Sequence, residues 1–177
     1  MNDKCLTVLH EMLHDRGFMH TSKVNAYIEI SENNSGEHIL IYFLTDSKIS
    51  VKKMKDVKKE IDKNIFNTLI LIYKESVTSF AKQYLVSDFN NLHIQLFSEK
   101  ELMINITKHE LNPKFRKLSN EEKCIILAKY NCKLQQFPYL LSSDPISKYY
   151  AYLPGDLIEI QRTSPTAGIH TLYRLVV

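Results

Sequence analysis

The sequence is poor in the residues on which most small-molecule and metal chemistry depends. Only four glycines, Gly17, Gly36, Gly155 and Gly168, are spread over 177 residues. That leaves no glycine-rich phosphate loop and no G-x-S-x-G nucleophile elbow. Three cysteines, Cys5, Cys124 and Cys132, are too few and too scattered for a disulfide framework or a zinc knuckle, and they read as reduced thiols in packing roles. H-E-x-x-H is absent too. His10 and His14 stand at i, i+4 on one helix face and read as exposed-helix histidines rather than a metal pair. No apolar run approaches the ~18 residues of a membrane span. The N-terminal "MNDKCLTVLHEMLHDRG" lacks the basic, apolar, small-residue layout of a signal peptide. The expectation is a soluble, intracellular chain with no cofactor, no metal and no membrane partner.

What is present is a globular composition, 44% hydrophobic and 24% charged. The charge is uneven. Residues 1–105 carry 13 Lys/Arg against 14 Asp/Glu, whereas residues 106–177 carry 10 against 6. A split of this kind points to two modules with different surroundings, and the change of character puts their boundary at 104/105.

In the first module, Leu6, Val8, Leu9, Met12 and Leu13 have helical spacing over 4–16, closed by Gly17 as a C-cap. "SENNSGE" (31–37) reads as a polar loop. "HILIYFL" (38–44), "FNTLILIY" (66–73) and "LHIQLF" (92–97) read as strands, the first two apolar throughout. Between them come an amphipathic helix over Lys52–Asn64, with Val51, Met54, Val57 and Ile61 on one stripe, and a short helix in "SVTSFAKQYLV" (76–86). Strands alternating with helices argue a sheet covered on both faces. The expected fold is thus a small α/β domain over 1–104.

In the second module, "KHELNPKFRKL" (108–118), with Pro113 inside, reads as a connector. "SNEEK" opens a helix with a capping box, Ser119 to Glu122, running to about Tyr130. "GDLIEIQRTSPTAGIHTLYRLV" holds two alternating runs, Leu157 to Arg162 and Ile169 to Val176, joined by a polar turn, which is a hairpin signal. Residues 105–177 are expected to form a small α+β domain ending in that hairpin.

The ordered segments "ELMINITKHELNP", "LSNEEK", "DPISKYY" and the terminal "GDLIEIQRTSPTAGIHTLYRLV" resemble the fifth-largest subunit shared by nuclear DNA-dependent RNA polymerases, whose C-terminal half corresponds to a small archaeal polymerase subunit. "LHDRGF", "ISVKKMK" and "VTSFAKQYL" are similar to that family's eukaryote-type jaw domain, so the resemblance covers nearly the whole chain. It implies a non-catalytic polymerase subunit with a nuclease-like jaw layout over 1–104 beside downstream duplex DNA. It implies an assembly domain over 105–177 on the largest subunit. The resemblance also implies a nuclear location for a cellular chain, or a viral factory or virion for a divergent viral one. Departures from the family stand at Ser79, Phe115, Ala151 (usually Gly), Leu153, Pro154, Pro165, Ile169 and His170.

Residues 48–63 hold seven lysines. Lys52, Lys53, Lys55 and Lys59, with Lys82, are the candidate DNA-proximal set, because lysines that neutralise phosphates release counterions. The plainer reading is a solvated helix face with Asp56–Lys59 and Asp56–Lys52 pairs. For the subunit interface the resemblance implies Asp144, Pro145, Tyr149, Gly155, Ile160, Arg162, Ser164, Thr166, Gly168, Tyr173 and Arg174. Arg162 and Arg174 suit bidentate pairing with carboxylates of the large subunit; the plainer reading pairs them with Glu159 or Asp156. An enzymatic alternative is a metal-dependent nuclease-like protein. It rests on Glu37, Asp46 and Lys48, an echo of a two-carboxylate-and-lysine core, although "TDSK" is also a good turn.

Overall fold

The computed structural model describes residues 3–25, 28–33, 38–46, 48–61, 66, 68–88, 92–164, 166 and 168–177. Glu37, Ser47, Asp62, Lys63 and Pro165 lie outside the described residues. The chain divides into two compact units, Met1–Ile104 and Asn105–Val177.

The N-terminal unit is a five-stranded sheet in the order β1-β2-β3-β5-β7. β1 (Phe18–Asn25), β2 (Ile28–Asn33) and β3 (His38–Leu44) pair antiparallel. β5 (Thr68–Tyr73) and β7 (His93–Ser98) continue the sheet in parallel. Parallel strands are buried on both faces, and β3 and β5 show it: Ile39 through Leu44 and Leu69 through Ile72 are all buried. Leu40, Tyr42, Leu44, Leu69 and Leu71 share one face and one core with Met54 and Val57 of α2 (Val51–Ile61) and Ala81 and Leu85 of α3 (Ser79–Asp88). Burying a side chain of this size contributes about 1.5–3 kcal/mol. The remaining helix, α1 (Asp3–Asp15), buries Cys5, Val8, Leu9, Met12 and Leu13 and lies against β1 and the 3-10 turn Glu101–Met103. It stops where Gly17 takes φ +87°, its N–H donating to His14 O at 2.9 Å. A two-stranded parallel pair, β4 (Lys48–Ile49) with β6 (Ser76–Val77), precedes α2 and α3.

The C-terminal unit is a four-stranded sheet in the order β8-β10-β11-β9. β10 (Leu157–Ser164) pairs antiparallel with β11 (Gly168–Val176) and with β8 (Lys114–Lys117), and β9 (Tyr139–Leu140) joins the far end of β11 in parallel. Its core is Leu140, Ile146, Tyr152, Ile158, Ile160 and Val176. α4 (Asn120–Tyr130) opens with both halves of the Ser119–Glu122 capping box and closes on Asn131 at φ 47°. α5 (Pro145–Tyr150) is capped by Asp144, carries proline at its first position, and closes on Ala151 at φ 56°.

Three segments differ from the sequence reading. Of the polar loop expected over 31–37, Ser31, Glu32 and Asn33 are strand, the first two paired to both β1 and β3 and Asn33 to β1, while 34–37 lie outside the described residues; a strand held by two neighbours needs no apolar alternation of its own. The connector over 108–118 contains a strand. Lys114–Lys117 is mostly exposed, with Phe115 half-buried against the core, so its place in the sheet comes from the β10 ladder and not from its own pattern. Within 76–86, Ser76–Val77 is strand and the helix begins only at Ser79, with the Thr78 hydroxyl accepting from the Ala81 amide at its start.

Candidate subunit interface and nucleic-acid surface

The β10–β11 pair is buried at one end and bare at the other. Leu157 through Ile160 and Leu175 with Val176 are buried, whereas Gln161, Arg162 and Thr163 and the facing Gly168, Ile169 and His170 are exposed. Ile169 is 74% exposed. Arg162 stands opposite His170, and Thr163 opposite Ile169. Ser164 Oγ lies 3.3 Å from Thr166 Oγ1, beside Gly168 at φ +66°.

The expected interface residues fall into two groups. Arg162, Thr166, Gly168 and Pro145 are exposed, and Ser164 is half-buried beside them. The others have work within the unit. Asp144 Oδ1 accepts from the Ile146 amide at 2.9 Å. Tyr149 is 3% exposed and its hydroxyl accepts from Asn105 Nδ2 at 3.3 Å. Ile160 is core. Gly155, at φ +93°, accepts from Lys123 Nζ at 3.1 Å. Tyr173 meets Tyr130 and Phe137 edge-to-face at 6.0 and 6.3 Å, and burial, then Glu159, pushes its phenol up. Arg174 Nη1 donates to Tyr139 O at 3.2 Å.

Glu159 and Asp156, the carboxylates that could have absorbed the two arginines, are committed elsewhere. Arg116 reaches Glu159 at 2.6 Å and Glu122 at 2.6 Å, and Lys117 reaches Asp156 at 2.8 Å. Asp156 also accepts from the Leu153 amide at 2.9 Å. The Arg116 guanidinium, then the Ser119 amide, hold the Glu122 carboxyl below its usual value. Among the described residues Arg162 has no carboxylate partner. The sequence alone does not reveal this network, because Arg116 lies on β8, whose own pattern is that of a connector; the capping box is its one local trace.

In the N-terminal unit the lysines split. Lys53 pairs with Asp46 at 3.5 Å, Lys59 with Asp56 at 4.0 Å, and Lys55 lies 5.9 Å over the Tyr84 ring. The Asp56–Lys59 pair is therefore made, while no Asp56–Lys52 pair occurs among the described residues. Lys52 and Lys82 are exposed, without a carboxylate partner among those residues. Neither α2 nor α3 carries an acidic residue in its first turn, so the positive ends of both helix dipoles are uncompensated there. Phe80, 76% exposed, joins Lys82 in the first turn of α3.

Asp46, just beyond β3, is engaged by Lys53, and Lys48 opens β4. Among the described residues no group of three or more His, Cys, Asp or Glu is arranged to hold a metal ion. His10 and His14 are exposed. A cleft of about 310 Å³ at the carboxyl ends of β3 and β5, lined among others by Thr45, Tyr73, Lys74 and Glu99, had no signal in the sequence. Among the described residues no helix is long and apolar enough to cross a membrane.

Residues 104–176 match the family model described as RNA polymerase Rpb5, C-terminal domain. The chain is 33% identical over 150 residues to the "DNA-directed RNA polymerases I, II, and III subunit rpabc1" of Dictyostelium discoideum, covering 84% of this chain and 76% of that protein. It is 31% identical over 196 aligned positions to the RPABC1 subunit of Caenorhabditis elegans, covering 97% of this chain and 92% of that one. A solved structure, the ATP-dependent Type ISP restriction-modification enzyme LlaBIII bound to DNA, aligns over 78% of this chain and 10% of that chain with 16% identity and a TM-score of 0.44. That likeness is too low to bear on fold or function.

Proposed function

We propose the position and contacts of this chain from one established premise: it belongs to the Rpb5 family of DNA-directed RNA polymerase subunits. It is a non-catalytic subunit of that enzyme, it serves transcription, and its partners are other polymerase subunits. The finer reading has two parts. Residues 1–104 act as a jaw domain of nuclease-like layout beside downstream duplex DNA. Residues 105–177 act as the assembly domain and dock on the largest subunit through the terminal hairpin. A cellular chain works in the nucleus; a viral one works in a viral factory or virion.

The observation that supports docking through the hairpin is the uncommitted Arg162 on a bare strand end, in a unit whose nearby carboxylates are already paired within it. A planar guanidinium that is exposed and without a carboxylate partner among the described residues is suited to bidentate capture of a carboxylate on another chain. The test is an affinity pull-down of the tagged chain from its native cells beside Arg162→Ala/Arg174→Ala. The largest polymerase subunits are expected with the unsubstituted chain and should fade with the double variant. Equal recovery from both would remove the arginines from the interface, and no polymerase subunit in either would remove the docking reading.

The DNA-proximal part rests on Lys52 and Lys82, exposed in the first turns of α2 and α3. Such contacts to phosphates position DNA without reading its sequence. In assembled polymerase, Lys52→Ala/Lys82→Ala should lower the slope of log affinity for downstream duplex against log salt by about two. An unchanged slope would take both lysines off the DNA.

A further inference from the structure

The β10–β11 ladder fixes which backbone groups point where. Val176 N–H donates to Asp156 O at 2.9 Å, whereas Leu175 N–H turns the other way and donates to Pro138 O at 2.9 Å. In an antiparallel pair these two orientations alternate residue by residue. With Leu157 opposite Leu175, the N–H and C=O of Gly168, His170, Leu172 and Arg174 face β10, while those of Ile169, Thr171 and Tyr173 face outward. β9 covers that outer side only at Leu175 and Val176, and Phe137 stands against Tyr173. At Ile169 and Thr171 no hydrogen bond to the outward N–H or C=O is made among the described residues. This is an open strand edge, and such an edge is a template for pairing with another chain.

The geometry points to strand addition: the outer edge of β11 at Ile169 and Thr171 receives an extended segment of a partner polymerase subunit, with carboxylates on one of its faces and apolar side chains on the other. This rests on the reading that the C-terminal unit docks on other subunits, and it supplies the mode of docking. Main-chain bonds to the edge give affinity, and alternate side chains give specificity. The two faces of the edge dictate the partner's chemistry. His170 lies on one face, directly across the ladder from Arg162, and this cationic end of the strand calls for carboxylates. Ile169, 74% exposed, and Tyr173 lie on the other and call for apolar groups. Unit-wide charge agrees, with 10 Lys/Arg against 6 Asp/Glu over residues 106–177.

The ladder also supplies its own test. Proline at 171 removes an outward donor and no bond to β10, whereas proline at 172 removes a ladder bond. With equal amounts of folded tagged chain, Thr171→Pro should lower recovery of polymerase subunits by about tenfold, the loss of roughly one hydrogen bond together with the register of the added strand. Recovery equal to the unsubstituted chain, which itself brings down polymerase, would overturn strand addition and leave docking standing. If even the unsubstituted chain brings down no polymerase subunit, the docking reading has failed and strand addition to a polymerase subunit fails with it. Hydrogen exchange on the unsubstituted chain needs no folding of a variant. The Ile169 and Thr171 amides should exchange fast in the free chain and slowly in assembled polymerase, with His170 and Leu172 slow in both. Fast exchange at 169 and 171 in the assembled enzyme, or protection produced by duplex DNA alone, would refute the proposal.

Discussion

Charges are used differently in the two units. In the N-terminal unit Lys53–Asp46, Lys58–Asp88 and Lys59–Asp56 stand 3.5, 3.9 and 4.0 Å apart, on side chains 32% to 79% exposed. In the C-terminal unit Arg116–Glu122, Arg116–Glu159 and Lys117–Asp156 close to 2.6, 2.6 and 2.8 Å, and Glu159 and Asp156 are only 11% exposed at the side chain. The first kind contributes little, because water and salt screen it and two long side chains must be ordered. The second kind organises backbone: Asp156 holds the Leu153 amide, and Glu122 closes the cap of α4. The mixed sheet of the first unit, whose parallel strands are buried on both faces, draws its stability from apolar burial and leaves its lysines solvated. The smaller sheet of the second unit has fewer buried apolar side chains and uses ions as part of its frame.

The largest effect that would sharpen this contrast is in the apolar core. Leu71→Ala, at a fully buried position in the sheet, should cost about 3 kcal/mol by denaturant titration; a cost below 1 kcal/mol would deny that apolar burial holds this unit. Next comes Asp156→Ala. It strips the Leu153 amide and the Lys117 and Lys123 ammonium groups of their shared acceptor, and should cost about 2 kcal/mol.

Ala151 offers an effect of opposite sign. Its φ of 56° closes α5 in the left-handed region that disfavours a Cβ. Ala151→Gly should therefore stabilise the unit by roughly 0.5–1 kcal/mol, read as a rise in unfolding midpoint. This also gives a physical meaning to the glycine that the family resemblance leads one to expect there.

A pH titration separates the units further. The Glu122 carboxyl is held below its ordinary value of 4.5. Its contribution is then fully present above that value and is lost as pH falls through the lowered one. Below pH 4.5 the unfolding midpoint should drop more steeply for the natural chain than for Glu122→Gln. Parallel curves would detach Glu122 from stability. The smallest effect belongs to Lys59→Ala, at the exposed 4.0 Å pair with Asp56, which should stay within about 0.5 kcal/mol of the natural chain.

Most elements were legible because their signals are local. The continuous apolar runs of β3 and β5, the stripe of α1, Gly17 at its end and the Ser119–Glu122 box each state their structure within a dozen residues. β8 was not legible: "KFRK" has one apolar side chain, and only its ladder with Ile158 through Gln161 makes it a strand. The same blind spot hid the site. Arg162 and Arg174 look equivalent in sequence, but Arg174 reaches the Tyr139 carbonyl 35 residues away and Arg162 meets no carboxylate among the described residues. Arg174 is engaged by the chain doubling back to Tyr139, and Glu159 is taken by Arg116 on that unrecognised strand. The inward or outward direction of each β11 amide depends on register, and register is a property of the pair rather than of either strand.

The aromatic side chains of the C-terminal unit have an optical consequence. Tyr149, Tyr150 and Tyr152 form one contact series at 5.0 and 5.4 Å, and Tyr130 and Tyr173 form another with Phe137. With no tryptophan in the chain, their ultraviolet emission is not lost to indole. The natural sequence is thus its own probe: six of its ten tyrosines lie in the C-terminal unit, so the tyrosine signal is weighted toward the packing around α5 and β11 without any label.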